Sequence, residues 1–548
     1  MKSLPSNRAL PSLHVYLALF RAMFSRTLLS ASFILANIAA PALAAFGVTE
    51  SGNSFIVDTA GGLVFTVEKT SGDITSMLFN GIQAQDQTKR SHISSGIGAT
   101  CTWSKIGNYI KIPCVTSTLT HYYVAQYKNA GIHMATYITA EPSVGELRYI
   151  ARLNAATLPN GPTASKVAGS SSTVEGSDVF VVSGQTRSKF YSSRQFIDDQ
   201  VHGVTGSGIG AYMVIPGTGY ESASGGPFFR DIDNQNGGQQ EVYFYMNSGH
   251  AQTESYRMGL HGPYLLQFTT GAAPSADINL AFWDGLGVTG WVPTSGRGYV
   301  KGKASGAPSA FASLVVVGWS NSNSQYWARA DSSGNFYSPA MKPGTYTMTM
   351  YKSELAVATE SVTVTAGGTI TNNIQSQEAN PTVIWQIGDF DGTPRGFLNS
   401  DMIETMHPSD QRMHEWLRTY TVGQQDIGYF PMAIFKDIGP VTVRWALSSS
   451  QLGARTLEIG VTLAFAGGRP QVTINGWTGP APPAPSQPDS RGVTRGTWRG
   501  NNTRYTVSIP SGVLISSAVN VMTINVISGS SGTQYLSPNV VIDAVRLY

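Results

Sequence analysis

The sequence predicts an all-β protein built from several sandwich-like domains. Only 13% of its 548 residues are charged, against roughly 25% in an ordinary soluble protein, whereas Gly occurs 59 times and Tyr 24 times. Apolar and polar side chains alternate with period two in segments such as 62–67 and 241–246, and helical periodicity is nearly absent from 45–290. This pattern is typical of strands joined by glycine-containing turns, and it excludes coiled coils and charged disordered tails.

The first 44 residues form a predicted secretory signal peptide. An apolar segment, 27–44, follows two arginines and ends in a small-residue cleavage site of the A-x-A type. The mature chain would begin at Ala45, and Met23 is an alternative start of translation. The apolar segment is shorter than the ~20 residues that a spanning helix needs, so we expect a secreted protein rather than a membrane protein.

Charge gives no indication of a nucleic-acid partner. The formal net charge of +3 comes from 36 basic and 33 acidic residues, and four of the basic residues lie in the first 44 positions. The remaining chain is therefore close to neutral, whereas nucleic-acid-binding domains carry a basic surface. We expect a monomer with neither nucleic acid nor membrane as a partner.

Three domains follow the signal peptide in the predicted organisation. Residues 45–293 contain the long alternating strands of a mostly antiparallel sandwich of two large sheets. Residues 294–378 have the size and strand spacing of a fibronectin-III-like or prealbumin-like sandwich. Residues 379–548 form a third β-rich unit, for which we expect a jelly roll of the kind found in carbohydrate-binding modules.

The two cysteines of the chain favour one disulfide. Cys101 and Cys114 lie on two short predicted strands around the turn Gly107-Asn108. Cysteines on facing strands of a secreted protein usually pair, and two buried thiols are the alternative. The only N-x-S/T sequon begins at Asn501, where we expect glycosylation.

The acidic clusters of the sequence give only weak indications of a site. The segment 231–234 resembles the start of a calcium loop, but Asn236 stands where such a loop needs Gly, so we prefer a polar turn. Asp198 and Asp199 could serve as a glycosidase pair, although neighbours on an extended strand point to opposite faces. The motifs of zinc peptidases, serine hydrolases and P-loop proteins are absent from the sequence.

Basic and aromatic residues concentrate in three stretches, 145–150, 186–192 and 243–261. Period two places Arg187 and Lys189 on one strand face, and it does the same for the tyrosines at 243 and 245. A face with two cations and two phenols suits an acidic, ring-shaped substrate. The alternative is an exposed polar strand on which the cations are only solvated.

Several stretches resemble the fungal rhamnogalacturonan endolyases of polysaccharide lyase family 4. They include HMATYITAEPSVGELRYIARLN (133–154), TRSKFYSS (186–193), YMNSGHAQTESYRMGLHGPY (245–264) and DSRGVTRG (489–496), and they keep their order along the mature chain. The resemblance implies three domains: a galactose-mutarotase-like β-supersandwich, a fibronectin-III-like module and a jelly roll like those of carbohydrate-binding modules.

The resemblance also implies an activity and a set of site residues. The activity is cleavage of the rhamnogalacturonan I backbone of pectin by β-elimination, with a lysine and a histidine as base and acid. These positions match Lys189 and His250. The implied substrate-binding residues are Arg148, Tyr243, Tyr245, Arg491 and, less directly, Arg495.

No cofactor is expected for catalysis, because arginines can neutralise the carboxylate of the sugar. A structural calcium ion is left open. Two other functions also stay open at this point. One is a carbohydrate-binding protein without activity, and the other is a carboxylate-dependent sugar-active enzyme on the same fold.

Overall fold

The computed structural model describes residues 45–143, 145–162, 172–175, 179–182, 185–188, 194–229, 231–236, 238–248, 254–404, 406–487 and 492–548. Within these ranges the regular structure consists of strands and short 3-10 helices, so the all-β prediction is confirmed. Three predicted site residues, Lys189, His250 and Arg491, lie outside the described residues, as does the predicted signal peptide.

The first module, residues 45–293, contains four sheets in the described part of the chain. In spatial order, the first sheet consists of β1 Gly47–Ser51, β2 Ser54–Asp58, β3 Leu63–Glu68, β4 Ile74–Phe79 and β5 Ile82–Gln83. The eight-stranded sheet consists of β16 Val201–Gly206, β17 Ile209–Val214, β20 Gly259–Thr269, β11 Gly131–Ile138, β10 Leu119–Gln126, β9 Tyr109–Val115 and β7 Thr100–Cys101, with β8 Ser104–Ile106 also paired to β9. The third sheet consists of β18 Asn234–Asn236, β19 Gln240–Ser248, β12 Glu146–Leu153 and β6 His92–Ile93, and the fourth of β13 Ser172–Glu175, β14 Val179–Val182 and β15 Gln185–Ser188.

Three of these sheets bury their apolar faces in one hydrophobic core. Phe65 of β3, Met134 of β11 and Phe244 of β19 all belong to it and are at most 2% exposed. The alternation along each strand explains this arrangement, because successive side chains point to opposite faces of a sheet. In β12, for example, Tyr149 faces this core and Arg148 faces away from it.

The predicted disulfide is confirmed. Cys101 on β7 and Cys114 on β9 are directly paired in the antiparallel ladder and are bonded to each other. The turn between β8 and β9 contains Gly107, whose φ of +56° suits glycine in a tight hairpin.

The second and third modules each have a separate core. The second module contains β21 Tyr299–Ser305, β22 Val315–Ser320, β23 Gln325–Arg329, β24 Asn335–Tyr337, β25 Gly344–Lys352, β26 Leu355–Val364, β27 Thr369–Thr371 and β28 Ile374–Gln375. The third contains β29 Trp385–Gly388, β30 Thr419–Thr421, β31 Ala433–Phe435, β32 Val441–Trp445, β33 Arg455–Phe465, β34 Arg469–Ile474, β35 Trp477–Thr478, β36 Thr503–Ile509, β37 Asn520–Ile527 and β38 Asn539–Leu547. In the third module two five-stranded sheets enclose the core, as a jelly roll requires. The domain boundaries given above stay predictions.

Short 3-10 helices connect the strands. Those of the described residues are Phe196–Asp198, Ala281–Gly285, Thr294–Gly296, Ser309–Leu314, Ile427–Tyr429, Ser449–Gln451, Gly492–Arg495 and Gln534–Leu536. Asp198 therefore lies in a helical turn that Asp199 caps, so the argument from opposite faces of an extended strand does not apply to this pair.

A buried carboxylate joins the first module to the second. Glu221 accepts hydrogen bonds from Nη1 and Nη2 of Arg297 at 2.6 and 3.0 Å and from the hydroxyl of Tyr326 at 2.6 Å. The ammonium group of Lys342 lies 3.0 Å away. Burial by itself raises the pKa of Glu221, but Lys342 and Arg297 outweigh it and hold the pKa below its ordinary value. The carboxylate at this junction is therefore ionised, and both of its oxygens have hydrogen-bond or ion-pair partners.

A second buried carboxylate, that of Asp543 on β38, organises the start of the third module. Its Oδ1 accepts backbone N–H bonds from Asp391, Gly392 and Thr393 at 3.1, 2.8 and 3.2 Å. Burial raises the pKa of Asp543 to about 8, and the nearby Asp391 adds to the rise. Burial likewise raises the pKa of Asp391 to about 6.

We expect Asp543→Asn to gain stability relative to the wild type as the pH rises. The pKa of Asp543 in the folded state lies above the value of ~3.9 in an unfolded chain. Its contribution is therefore fully present below pH ~4 and is lost as the pH rises through about 8. Asparagine keeps an acceptor for the three N–H groups and does not titrate.

Thermal unfolding of both proteins between about pH 5 and about pH 9 tests this expectation. Asp331→Asn is the control, because that carboxylate is exposed and its pKa is lowered by Asn335. A difference in Tm between Asp543→Asn and the wild type that stays constant with pH would contradict the argument.

Candidate active site

The pairing of β12 with β19 brings three of the predicted site residues together. Arg148 is directly opposite Tyr245, and Ile150 is opposite Tyr243, with a bulge between Leu147 and Arg148. Because directly paired residues project to the same face, the arginine and both tyrosines lie on the face that points away from the main core. The aromatic rings of the two tyrosines are 5.4 Å apart.

Arg148 is held between these tyrosines and a carboxylate. Its Nη1 donates to the hydroxyl of Tyr245 at 2.5 Å and forms an ion pair with Glu146. The guanidinium carbon lies 5.3 Å from the ring centre of Tyr245 and 6.0 Å from that of Tyr243. Burial by itself lowers the pKa of Arg148, but Tyr245 and Glu146 raise it above its ordinary value, so the group stays cationic. Its buried Nε has no hydrogen-bond partner among the described residues.

Both tyrosines are neutral phenols at any ordinary pH. Burial raises the pKa of each well above its ordinary value, and Glu241 adds to the effect at Tyr243, as Asp231 does at Tyr245. The hydroxyl of Tyr243 donates to Glu241 and lies 3.3 Å from the amide oxygen of Gln235. Such phenols can donate and accept hydrogen bonds.

Two carboxylates of this face were not predicted from the sequence. Glu146 pairs with Arg148, and Glu241 binds the Nε of Arg152 at 3.0 Å and also Tyr243. Burial raises the pKa of Glu241, but Tyr243 and Arg152 outweigh it and lower the pKa overall. The alternation of strand faces could have predicted both residues. Each stands two positions before a predicted site residue on the same strand and therefore shares its face.

One group of side chains in the described residues could hold a metal ion. Asp199, His202 and Asp233 are buried, and each offers one ligand atom within 4.8 Å of the others. The Nε2 of His202 lies 2.6 Å from the carbonyl oxygen of Tyr243, which leaves Nδ1 as its ligand atom. Arg194 lies 3.8 Å from Asp199, so the group already has a cationic neighbour.

The segment that resembles a calcium loop belongs partly to a strand. Asn234 begins β18, and its Nδ2 donates to the carbonyl oxygen of Glu241 at 3.0 Å. Asp231 is 1% exposed and caps the N–H of Ile232 at 2.8 Å. The side chains of this segment therefore take part in the sheet and its entry turn.

The carboxylates of Asp198 and Asp199 have different surroundings. Asp198 is exposed and binds Arg329 of the second module at 2.5 Å, whereas Asp199 is 3% exposed and lies beside His202. A glycosidase needs two carboxylates on either side of one glycosidic bond. This arrangement does not favour the carboxylate-dependent alternative.

The other predicted positions belong to other segments of the chain or lie outside the described residues. Arg495 ends the 3-10 helix Gly492–Arg495 of the third module, in which Val493 is buried in the module core. The Nδ2 of Asn501 donates to the carbonyl oxygen of Ser486 at 2.9 Å, and its glycosylation stays a prediction. Arg187 lies in β15, and nothing is described for Lys189, His250 and Arg491.

Comparisons with known proteins match most of the chain. Residues 46–290 match the family described as rhamnogalacturonan lyase B, N-terminal. Residues 296–372 and 383–547 match polysaccharide lyase family 4, domain II and domain III. Rhamnogalacturonate lyase A of Emericella nidulans is 52% identical over 533 residues, which are 96% of this chain and 100% of that protein. Rhamnogalacturonate lyase A of Aspergillus aculeatus is 53% identical over 515 residues, which are 92% of this chain and 96% of that protein.

We expect Arg148→Gln to weaken the binding of an acidic oligosaccharide such as trigalacturonate. A hydrogen bond to a charged group contributes about 1.5–3 kcal/mol, so the dissociation constant should rise roughly 10- to 100-fold. Isothermal titration calorimetry measures this change, and Lys301→Gln, at an exposed position of the second module, is the control. Equal affinity in Arg148→Gln and the wild type would exclude Arg148 from the binding site.

Proposed function

The chain belongs to polysaccharide lyase family 4, and we propose that it is a secreted endolyase that cleaves the rhamnogalacturonan I backbone of pectin. The observation that carries the proposal is the guanidinium of Arg148 between two neutral phenols, which suits the carboxylate and ring of galacturonate. In the described residues no helix has the length and apolarity to cross a bilayer. We expect the mature enzyme to start at Ala45 and to act as a monomer.

The reaction that we propose is a β-elimination. A base removes the C5 proton of galacturonate, the electron pair forms the C4–C5 double bond, and the bond between C4 and the leaving oxygen breaks. An acid protonates that oxygen, which becomes the free hydroxyl of the leaving sugar. The new chain end is therefore an unsaturated uronate, and no oxidant or reductant is needed.

Arg148 serves this chemistry through the carboxylate of the sugar. An anionic carboxylate opposes the removal of a proton from the neighbouring carbon. A guanidinium bonded to that carboxylate offsets this effect and stabilises the negative charge that develops in the transition state. The raised pKa of Arg148 keeps its charge throughout, and Tyr243 and Tyr245 supply hydrogen bonds without a charge of their own.

Family resemblance supplies Lys189 as the base and His250 as the acid. A lysine at its ordinary pKa of ~10.4 is almost wholly protonated at neutral pH. Arg187 stands two residues earlier on the same predicted strand face, and its charge favours the neutral amine. An imidazole titrates near neutral pH and can donate a proton to the leaving oxygen.

Replacement of Lys189 or His250 by Ala should lower turnover on the order of 10²- to 10⁴-fold. Binding should survive, because Arg148 and the tyrosines carry it. Turnover is measured as the ultraviolet absorbance of unsaturated ends formed from rhamnogalacturonan I. Near-normal turnover in either variant would remove that residue from the mechanism.

The two roles can be told apart with an activated substrate. If His250 is the acid, a substrate whose leaving group needs no protonation should restore turnover in His250→Ala but not in Lys189→Ala. Restoration in Lys189→Ala alone would reverse the assignment. A wild-type protein that binds the polymer without forming unsaturated ends would favour the alternative of a carbohydrate-binding protein.

We also propose that catalysis needs no metal, since arginines take over the neutralisation of the carboxylate. His202 contacts Tyr243 at the backbone carbonyl oxygen. A cation bound by Asp199, His202 and Asp233 would therefore act on the stability of the fold. Treatment with a chelator should therefore leave the initial rate unchanged within about twofold, whatever its effect on Tm. A strict requirement for added Ca²⁺ at unchanged folding would overturn this part of the proposal.

A further inference from the structure

A hairpin turn of the second module is fastened to the third module. Glu354 lies between β25 and β26 and is 6% exposed. Its backbone N–H donates to the carbonyl oxygen of Asp391 at 2.8 Å, and its carbonyl oxygen accepts from the Nδ2 of Asn502 at 3.2 Å. The neighbouring Ser353 has a φ of +56°, which the sharp turn requires. Hydrogen bonds from its backbone N–H and to its carbonyl oxygen therefore fix the position of Glu354 against the third module.

The carboxylate of Glu354 binds all three modules together. Its Oε2 and Oε1 accept from the Nε and Nη2 of Arg499 in the third module at 2.7 and 2.8 Å. Oε1 also accepts from the Nε2 of Gln195 in the first module at 3.0 Å. Arg499 is 6% exposed. A buried, two-point contact of this kind fixes the orientation of the guanidinium as well as its distance.

From Gln195 the contacts lead to the candidate active site. Phe196, the next residue, packs against Phe244, with ring centres 6.3 Å apart. Phe244 stands between the two site tyrosines on β19 and faces the core. Arg329 of the second module supports the same segment, because its Nη2 donates to the Oε1 of Gln195 at 3.1 Å.

From Arg499 the contacts lead to the loop that carries Arg495. The N–H of Arg499 donates to the hydroxyl of Thr497 at 3.2 Å, and the N–H of Thr497 donates to the carbonyl oxygen of Gly492 at 3.2 Å. Val493 fixes the other end of this loop in the core of the third module. Arg495 therefore lies in one hydrogen-bonded segment, residues 492–499, whose end is held by Glu354.

Two cavities border the ion pair between Glu354 and Arg499, and this makes the pair important for the orientation of segment 492–499. Glu354 and Arg499 both line a cavity of about 850 Å³ and a second one of about 540 Å³. Among the described residues, Glu354 and Arg499 therefore border open space as well as each other. The orientation of segment 492–499 relative to the first module then depends strongly on this contact, because apolar packing is non-directional.

We propose that Glu354 is a positioning residue, which holds segment 492–499 so that its arginine contributes to polysaccharide binding at the site of Arg148. This inference rests on the proposed function, because it assigns Arg495 and the preceding Arg491 to the acidic polymer. Glu354 touches neither the substrate nor the reacting atoms. Its loss should therefore change affinity for the polymer and leave the elimination step nearly unaffected.

Glu354→Gln in the full-length protein tests the proposal. The amide keeps the size of the side chain and removes its charge, so Arg499 loses the counter-charge that Glu354 supplies. On rhamnogalacturonan I we expect KM to rise about tenfold and kcat to stay within about twofold, as expected for weakened coupling between two sites.

The matched control is Glu458→Gln. Glu458 also binds a buried arginine, Arg546, at 2.6 Å, but both residues belong to the third module and lie on adjacent strands. This variant should keep the KM of the wild type even if its Tm falls. Equal KM changes in the two variants would show a general loss of stability and would overturn the proposal.

A double-mutant cycle tests whether Glu354 acts through the loop arginines. In a protein that already carries Arg491→Ala and Arg495→Ala, Glu354→Gln should raise KM no further. A further tenfold rise in that background would overturn the proposal. If Glu354→Gln does not fold, Glu354→Gln with Arg499→Gln removes both charges and must show the same rise in KM.

The outcomes separate this inference from the proposed function. A wild-type protein that forms no unsaturated ends contradicts the proposed function, whatever the variants do. An active wild type with an unchanged KM in Glu354→Gln contradicts only the role of Glu354. A fall in kcat with unchanged KM would assign Glu354 to the chemical step instead and would equally overturn the positioning role.

Discussion

The pairing of β12 with β19 is the constraint on which the candidate site depends. One face of this strand pair carries Tyr149 and Phe244 into the core, and the other carries Arg148 with Tyr243 and Tyr245. A shift of the register by one residue would exchange the two faces, burying the cation and exposing the aromatic core residues. The cost of that exchange in buried apolar area fixes the register, and the register in turn fixes the site geometry.

The chain uses few charges, and several of them lie where modules meet. Glu221 joins the first and second modules, and Glu354 joins all three. A buried ion pair contributes little net stability, because desolvation of both charges offsets most of their attraction. It is directional, however, and an incorrectly docked module would leave a buried charge without a partner. These pairs therefore select one orientation of the modules, which apolar contact alone would leave less defined.

The sequence was sufficient for those features that depend on local periodicity. Alternation predicted the strands, the facing cysteines and the common face of Tyr243 and Tyr245. It also contained the signal for Glu146 and Glu241, each two residues before a predicted site residue on the same strand. The structure shows the reason for their presence, because both are bonded to arginines or phenols.

Features that depend on distant parts of the chain could not be predicted. Glu354 is 159 positions from Gln195 and 145 positions from Arg499 in the sequence, and no periodicity connects these residues. In the helical turn that ends at Asp198, Phe196 likewise packs against Trp327 of another module, with ring centres 5.5 Å apart. The roles of Lys189, His250 and Arg491 come from family resemblance, and they stay predictions.

Under the proposed function, the electrostatics of the candidate site leave a role for an arginine of the third module. Among the described residues of this face, Arg148 already has Glu146 as a counter-charge and the two tyrosines are neutral, so these groups carry little net charge to attract a polyanion. What Arg148 still offers is its buried Nε, which has no partner among the described residues. One such donor can orient a single carboxylate, but a polymer with a carboxylate on every second sugar gains affinity from additional cations along its path. Under the proposed function, the first module therefore supplies orientation at the reacting sugar, and Arg495 of segment 492–499 supplies additional attraction only while the modules keep their orientation.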